Sequence, residues 1–451
     1  MQQKTVDTSR TAKRSDLMTE GAIWKKIVVF SVPLILGNLL QQMYSTVDSI
    51  IVGNYVGSNA LAAVGSAYTL MTFLTSIFLG LSMGSGALFS IYKGKNDQDS
   101  LRSAIVHAFA LIMAVTVLLN VLVYIGIDPI LHFLRVPDEV WDGMKAYLLV
   151  IFAGIIATSL YNYFSCLLRA LGNSTIPLVF LAVSAVLNIG LDLLFVAVLP
   201  WGIRGAALAT VIAQYVSGIG ITLYVLLKCR DLLPSGKDLH FNRQILDEIG
   251  NLSSITCIQQ SVMNFGILMV QGLVNSFGPV IMAAFAAAVK IDTFAYLPVQ
   301  DFGNAYSTFI AQNYGAGKKE RIRRGTKESF LISFLFCIVI SAVVCIFAAP
   351  LMRIFVSAKE TAVIASGVRY LRIEGAFYCG IGCLFLLYGY YRAVKKPGMS
   401  VILTVISLGT RVALAYILSA YIGETGIWIA IPIGWVFADI TGLAYMKFQE
   451  K

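Results

Sequence analysis

Twelve apolar runs, each long enough to cross roughly 30 Å of hydrocarbon, are centred on residues 24–50, 60–92, 101–125, 140–168, 175–199, 203–227, 245–275, 280–313, 326–348, 362–391, 398–420 and 426–446. Each predicts a transmembrane helix, because a segment in lipid must satisfy its own backbone N–H and C=O groups; we number them spans 1 to 12. The pattern occurs twice. Gly57 recurs as Gly278, Gly94 as Gly315, Pro129 as Pro350, Gly202 as Gly423 and Gly205 as Gly426, always 221 residues apart. Six spans per repeat return the chain to its starting side, so the second repeat keeps the topology of the first and a pseudo-twofold axis runs along the membrane normal. The expected fold class is an all-α integral membrane protein of twelve transmembrane helices in two six-helix lobes, 21–227 and 244–451. A polar segment, 1–20, precedes them and a polar linker, 228–243, joins them. Such repetition in an apolar chain is a signature of secondary transporters, with substrate bound between the repeats.

Composition and charge narrow this further. Apolar residues make up 58% of the chain and charged ones 13%, too few charges for a soluble domain. Of the 34 Lys and Arg residues, 25 fall in segments on the side of the N-terminus and seven on the other. The positive-inside rule then puts both termini in the cytoplasm of a multi-pass cell (plasma) membrane protein. The net charge of +10 is explained by topology and contact with anionic membrane lipids. No nucleic acid partner is expected, since no basic, aromatic-rich soluble module exists. Residues 1–20 lack the apolar core and cleavage site of a signal peptide. The seven cysteines show no paired metal-ligand spacing and are taken as small hydrophobes. No phosphate-binding loop occurs, "GAGKKER" at 315–321 being only a basic loop. Three scattered histidines and no nucleophile motif argue against an enzyme. We expect a monomer without cofactors, driven by an ion gradient or by the substrate's own.

Ionisable side chains at membrane depth are costly and therefore functional candidates. The first repeat holds two, Asp48 in span 1 and Asp192 in span 5. Asn38, Gln41, Ser45 and Asp48 follow helical spacing, which makes one face of span 1 polar. Asn188 and Asp192 are four apart on one face of span 5, and Thr210 of span 6 can complete a nest of oxygen ligands for a proton or a small hard cation. Pro33 removes a backbone hydrogen bond and gives span 1 a bend point.

The strings "SVPLILGNLLQQMYSTVDSIIVGNYVGSNALAAVG", "LRALGNSTIP", "VLNIGLDLLF", "GIRGAALAT" and "AQNYGAGK" resemble the multidrug and toxic compound extrusion (MATE) transporters over nearly the whole chain after about residue 20. The resemblance implies an antiporter that exports small organic cations or amphipathic drugs in exchange for inward H⁺ or Na⁺. It is closest to the DinF-type branch, whose proline and aspartate fifteen residues apart match Pro33 and Asp48. That branch's Asn-x-x-x-Asp and threonine match Asn188, Asp192 and Thr210, implying a cation-coupling site there. A further asparagine of the branch falls at Ser165, or at Asn162. The acid that the NorM-type branch carries in span 7 is missing from "CIQQSVMNFG".

In the second repeat, Arg411 calls for a partner, and Glu374 or Asp439 is expected to bridge to it as a structural cluster. Asp301 is the candidate there for contacting a cationic drug. Gln260, Asn264, Gln271 and Asn275 give span 7 a polar face like that of span 1. With Asn38, Gln41, Tyr44, Ser165 and Met263, residues Gln260, Asn264 and Asp301 are the expected substrate-cavity set. Alternating access is the expected mechanism. A lipid or lipid-linked oligosaccharide flippase would share the scaffold but calls for a more cationic cavity, and an intramembrane aspartyl protease would need a Gly-x-Gly-Asp that is missing.

Overall fold

The computed structural model describes residues 18–133, 138–232 and 242–449. Its elements are α1 (Ile23–Tyr55), α2 (Ser58–Lys95), α3 (Gln98–Phe133), α4 (Asp138–Ala153), α5 (Ile155–Ala170), α6 (Thr175–Asp192), α7 (Gly202–Lys228), α8 (Arg243–Asn275), α9 (Pro279–Gly315), α10 (Lys319–Ile346), α11 (Ala348–Phe355), α12 (Thr361–Gly375), α13 (Tyr378–Ala393), α14 (Pro397–Ile422) and α15 (Glu424–Gln449). A π-helical stretch, Leu193–Val198, continues α6. Among the described residues ten helices are long and apolar enough to cross a membrane, and two bent pairs complete twelve: α4 with α5 at 46° and α12 with α13 at 52°.

These two bends fall inside spans 4 and 10. The first has a local cause. Gly154 closes a tight turn to Ile151 O at 2.8 Å, and a side chain there would have to displace the end of Gln214 of α7. At the second, Phe377 N bonds Glu374 O at 3.0 Å and starts α13 afresh. The repeat landmarks have a backbone meaning as well. Gly57 and Gly278, before α2 and α9, sit at φ 114° and 89° with open space around them. Conformation and not crowding demands glycine there.

The chain forms two compact units. One runs from Leu36 to Cys257 and so includes the start of α8; the other holds the described residues up to Ile35, the start of α1, together with Ile258 onward. In the first, Ile245, Ile249 and Leu252 of α8 join a core with Leu88 and Phe89 of α2 and Leu101 of α3. Close approach comes from Gly80 and Gly84 of α2, where an added Cβ would lie 2.5 Å from the Cα of Cys257 and of Ser253. Ser85 and Ser253 share a hydrogen bond of 2.9 Å between them. In the second unit, Phe285 stacks on Trp428 with Tyr370 at its edge. The segment before α1 is fastened by side chains: Met18 N donates to Gln312 Oε1 at 2.9 Å, and Arg321 donates to the carbonyls of Met18, Glu20 and Gly21.

Candidate functional site

The first unit gathers its polar site from α1, α4, α6 and α7. A Cβ at Gly37 of α1 would touch Leu178 and Leu181 of α6 at 3.7 and 3.5 Å. Asp48 lies eleven residues on, three helical turns along the same face, and is buried. Its carboxyl reaches that of Asp192, the last residue of α6 before the π-helical stretch. Widened π turns recur where a helix is adapted to a function, and here Trp201 N closes on Phe195 O at 2.8 Å. One turn before Asp192, Asn188 Nδ2 donates to Thr210 Oγ1 at 3.3 Å, while that hydroxyl donates to Ala206 O at 3.2 Å. Tyr147 of α4, buried, lies close enough to feel the charges of Asp48 and Asp192 and the Tyr44 hydroxyl.

What defines this nest is a shortage of donors. Among the described residues, none donates a hydrogen bond to Asp48 Oδ1, to either carboxyl oxygen of Asp192 or to Asn188 Oδ1, all of them buried. Buried acceptors left so cost free energy comparable to lost hydrogen bonds, more when charged. The donor set, carboxyl, amide and hydroxyl oxygen, is one that a proton or a hard cation satisfies. Asp48, Asn188, Asp192 and Thr210, expected together from the sequence, thus belong to one nest. Tyr147 is an addition that its own spacing did not signal.

The other expected residues are more dispersed. Ser165 is buried on α5 beside Tyr161, and Asn162 donates to Thr158 O of its own helix at 2.9 Å; neither has a described contact with the nest. On α1, Gln41 is exposed while Asn38 and Tyr44 are half-buried. On α8, Gln260 is buried, Met263 and Asn264 are half-buried, and Gln271 donates to Asn275 Oδ1 at 2.8 Å. Asp301 of α9 is only 2% exposed, one turn before Asn304, whose Oδ1 accepts a bond from Arg392 at 3.2 Å.

The second unit has its own acid pair, and here the expected charged cluster needs correction. Glu374 of α12 lies in hydrogen-bonding reach of Asp292 on α9, a residue the sequence reading passed over. Tyr378 donates to Asp292 Oδ1 at 2.5 Å and Tyr370 to its Oδ2 at 3.4 Å. Among the described residues no ion pair joins Arg411 to Glu374 or to Asp439. Arg411 acts on Asp292 and Glu374 through its field alone, with its Nε unpartnered. Asp439 is not part of the group: its carboxyl meets Cys383. The helices α12 and α14 hold Arg411 and Glu374 near one another but too far apart for contact, and the acid that Glu374 does contact comes from α9.

The MatE family model matches residues 33–194 and 255–417 of this chain. The chain is 29% identical over 431 residues to "Probable multidrug resistance protein YpnP" of Bacillus subtilis, covering 95% of this chain and 96% of that protein. It is 25% identical over 442 residues to "Probable multidrug resistance protein NorM" of Thermotoga maritima, covering 95% and 94%. Among solved structures, a MOP superfamily transporter from Pyrococcus furiosus superposes with a TM-score of 0.90 at 23% identity, over 99% of this chain and 98% of that one.

Proposed function

The chain belongs to the MatE family, and from this premise we propose that it exports organic cations and amphipathic drugs across the plasma membrane in exchange for inward H⁺ or Na⁺. The printed names of its relatives, multidrug resistance proteins, support the cargo. The observation that carries the ion coupling is the donor-poor contact between Asp48 and Asp192. Two carboxyls close together in a buried place repel unless a proton or a metal cation lies between them. Occupancy by H⁺ or Na⁺ therefore draws α1 and α6 together, and its loss drives them apart. Asn188 and Thr210 provide neutral oxygens that fix where the ion sits.

A cationic cargo and the ion compete for the same negative charge, so loading one lowers affinity for the other, which is the differential affinity that exchange requires. Alternating access is the corresponding cycle. Pro33 is the bend point of α1. Its missing N–H and the hydroxyl of Ser31, which bonds Val28 O at 2.8 Å, loosen the helix two residues before α1 passes from one unit to the other. The protein works as a monomer among membrane lipids, with both termini cytoplasmic. A flippase for lipid-linked sugars fits less well, since the nest is acidic and would repel pyrophosphate.

Efflux of an ethidium-type cation from vesicles under imposed pH or sodium gradients tests this reading. Asp48→Asn and Asp192→Asn each abolish gradient-driven efflux, and Pro33→Ala slows it; normal pumping by both aspartate variants would overturn the ion-site assignment.

A further inference from the structure

We propose that His107 and its repeat equivalent Glu328 cap the N-termini of α8 and α1 from a neighbouring helix, and that the histidine makes one of these caps a proton-controlled latch. The offset that relates the repeats, 221 residues, carries position 107 onto 328. In the first unit, Asn242 N donates to His107 Nε2 at 3.1 Å just before α8 begins. In the second, Trp24 N donates to Glu328 Oε2 at 3.0 Å in the first turn of α1. Every α-helix starts with N–H groups that lack an intrahelical acceptor and with the positive end of its dipole. The same repeat position supplies the acceptor both times, by two different side chains.

The chemistry of those side chains separates the two caps. His107 Nδ1 lies 2.7 Å from Ser103 O. A carbonyl only accepts, so Nδ1 carries the proton and Nε2 is left with the lone pair that receives Asn242 N–H. An imidazolium has N–H at both nitrogens. It cannot accept this bond, and it adds positive charge, in a buried position, to the positive end of α8. A glutamate stays an acceptor throughout the interval in which histidine changes charge. Acid on the linker side therefore opens the cap on α8 and leaves the cap on α1 closed.

The groups around His107 have engagements of their own. Arg102 of α3 donates to Asp231 O at 2.9 Å. Tyr163 of α5 donates to Ile105 O, and Tyr92 of α2 donates to Glu248 of α8 at 2.9 Å. Arg243 and Asp247 of α8 form an exposed pair at 3.9 Å. What the latch holds is the first turn of α8, where Ile245 N bonds Asn242 Oδ1 at 3.2 Å and Ile245 and Ile249 enter the core of the first unit.

Amide hydrogen exchange on the full chain in detergent, corrected for the intrinsic pH dependence of exchange, tests the proposal in peptides covering 242–249 and 23–30. Between about pH 7.5 and 5.5, where histidine charges, protection of 242–249 falls by at least about fivefold, the worth of one hydrogen bond. Peptide 23–30 serves as the internal reference and holds its protection. In His107→Gln the acceptor does not titrate, so 242–249 keeps its protection at both ends. A pH-independent 242–249 in the wild type, or an unchanged fall in His107→Gln, would overturn the latch. Should that variant not fold, the wild type decides alone: equal changes in both peptides overturn it.

Discussion

At the scale of residues, the two buried acid pairs are treated differently by their surroundings. Asp292 receives hydroxyl donors from Tyr378 and Tyr370, whereas Asp192 receives no donor among the described residues. A carboxyl held by fixed hydroxyls is already satisfied and serves the fold, while one left without them is available to an exchangeable ion. Tyr378→Phe accordingly removes a buried hydrogen bond to the Asp292 carboxyl and costs about 2 kcal/mol. Thermal unfolding in detergent reads this as a lower midpoint, and vesicle efflux stays largely intact. Asp48, Asn188, Asp192 and Thr210 were legible because polar residues stand out in apolar runs and a spacing of four puts two of them on one helix face. Asp292 offered the same signal in span 8. Its tyrosine partners lie 78 and 86 residues away in the chain, and no periodicity links positions so distant. Tyr147 gave no signal of any kind, being one of 21 tyrosines in a chain rich in aromatic residues.

At the scale of elements, hydropathy predicts the spans because lipid leaves an apolar segment few alternatives to a helix. It does not predict the breaks in spans 4 and 10. Gly154 at the first bend faces Gln214, sixty residues later on another helix, and the π-helical turn after Asp192 packs against α7, with Gly205 against Phe195 O. The glycines of α2 that permit close approach, Gly80 and Gly84, face the opening of α8. Gly84→Leu forces backbone apart where an added Cβ would lie 2.5 Å from Ser253 Cα. Overpacking of this kind costs about 3 kcal/mol, and a lowered unfolding midpoint together with lost protection in 242–257 is the expected outcome.

At the scale of the whole molecule, the repeat in the sequence announced two halves but not that they exchange their openings. The start of α1 is counted with the second unit and the start of α8 with the first. Cleavage of the chain at a protease site introduced within residues 233–241 therefore leaves two fragments that still copurify, which affinity capture of one and immunoblotting of the other checks; free separation in mild detergent would contradict the exchange. The fastening of Met18 also bears on how the protein is made. Its acceptor, Gln312, lies 294 residues downstream, an interval of roughly 15–60 s at ordinary elongation speeds. Throughout that time the segment at Met18 waits for an anchor the ribosome has not yet delivered.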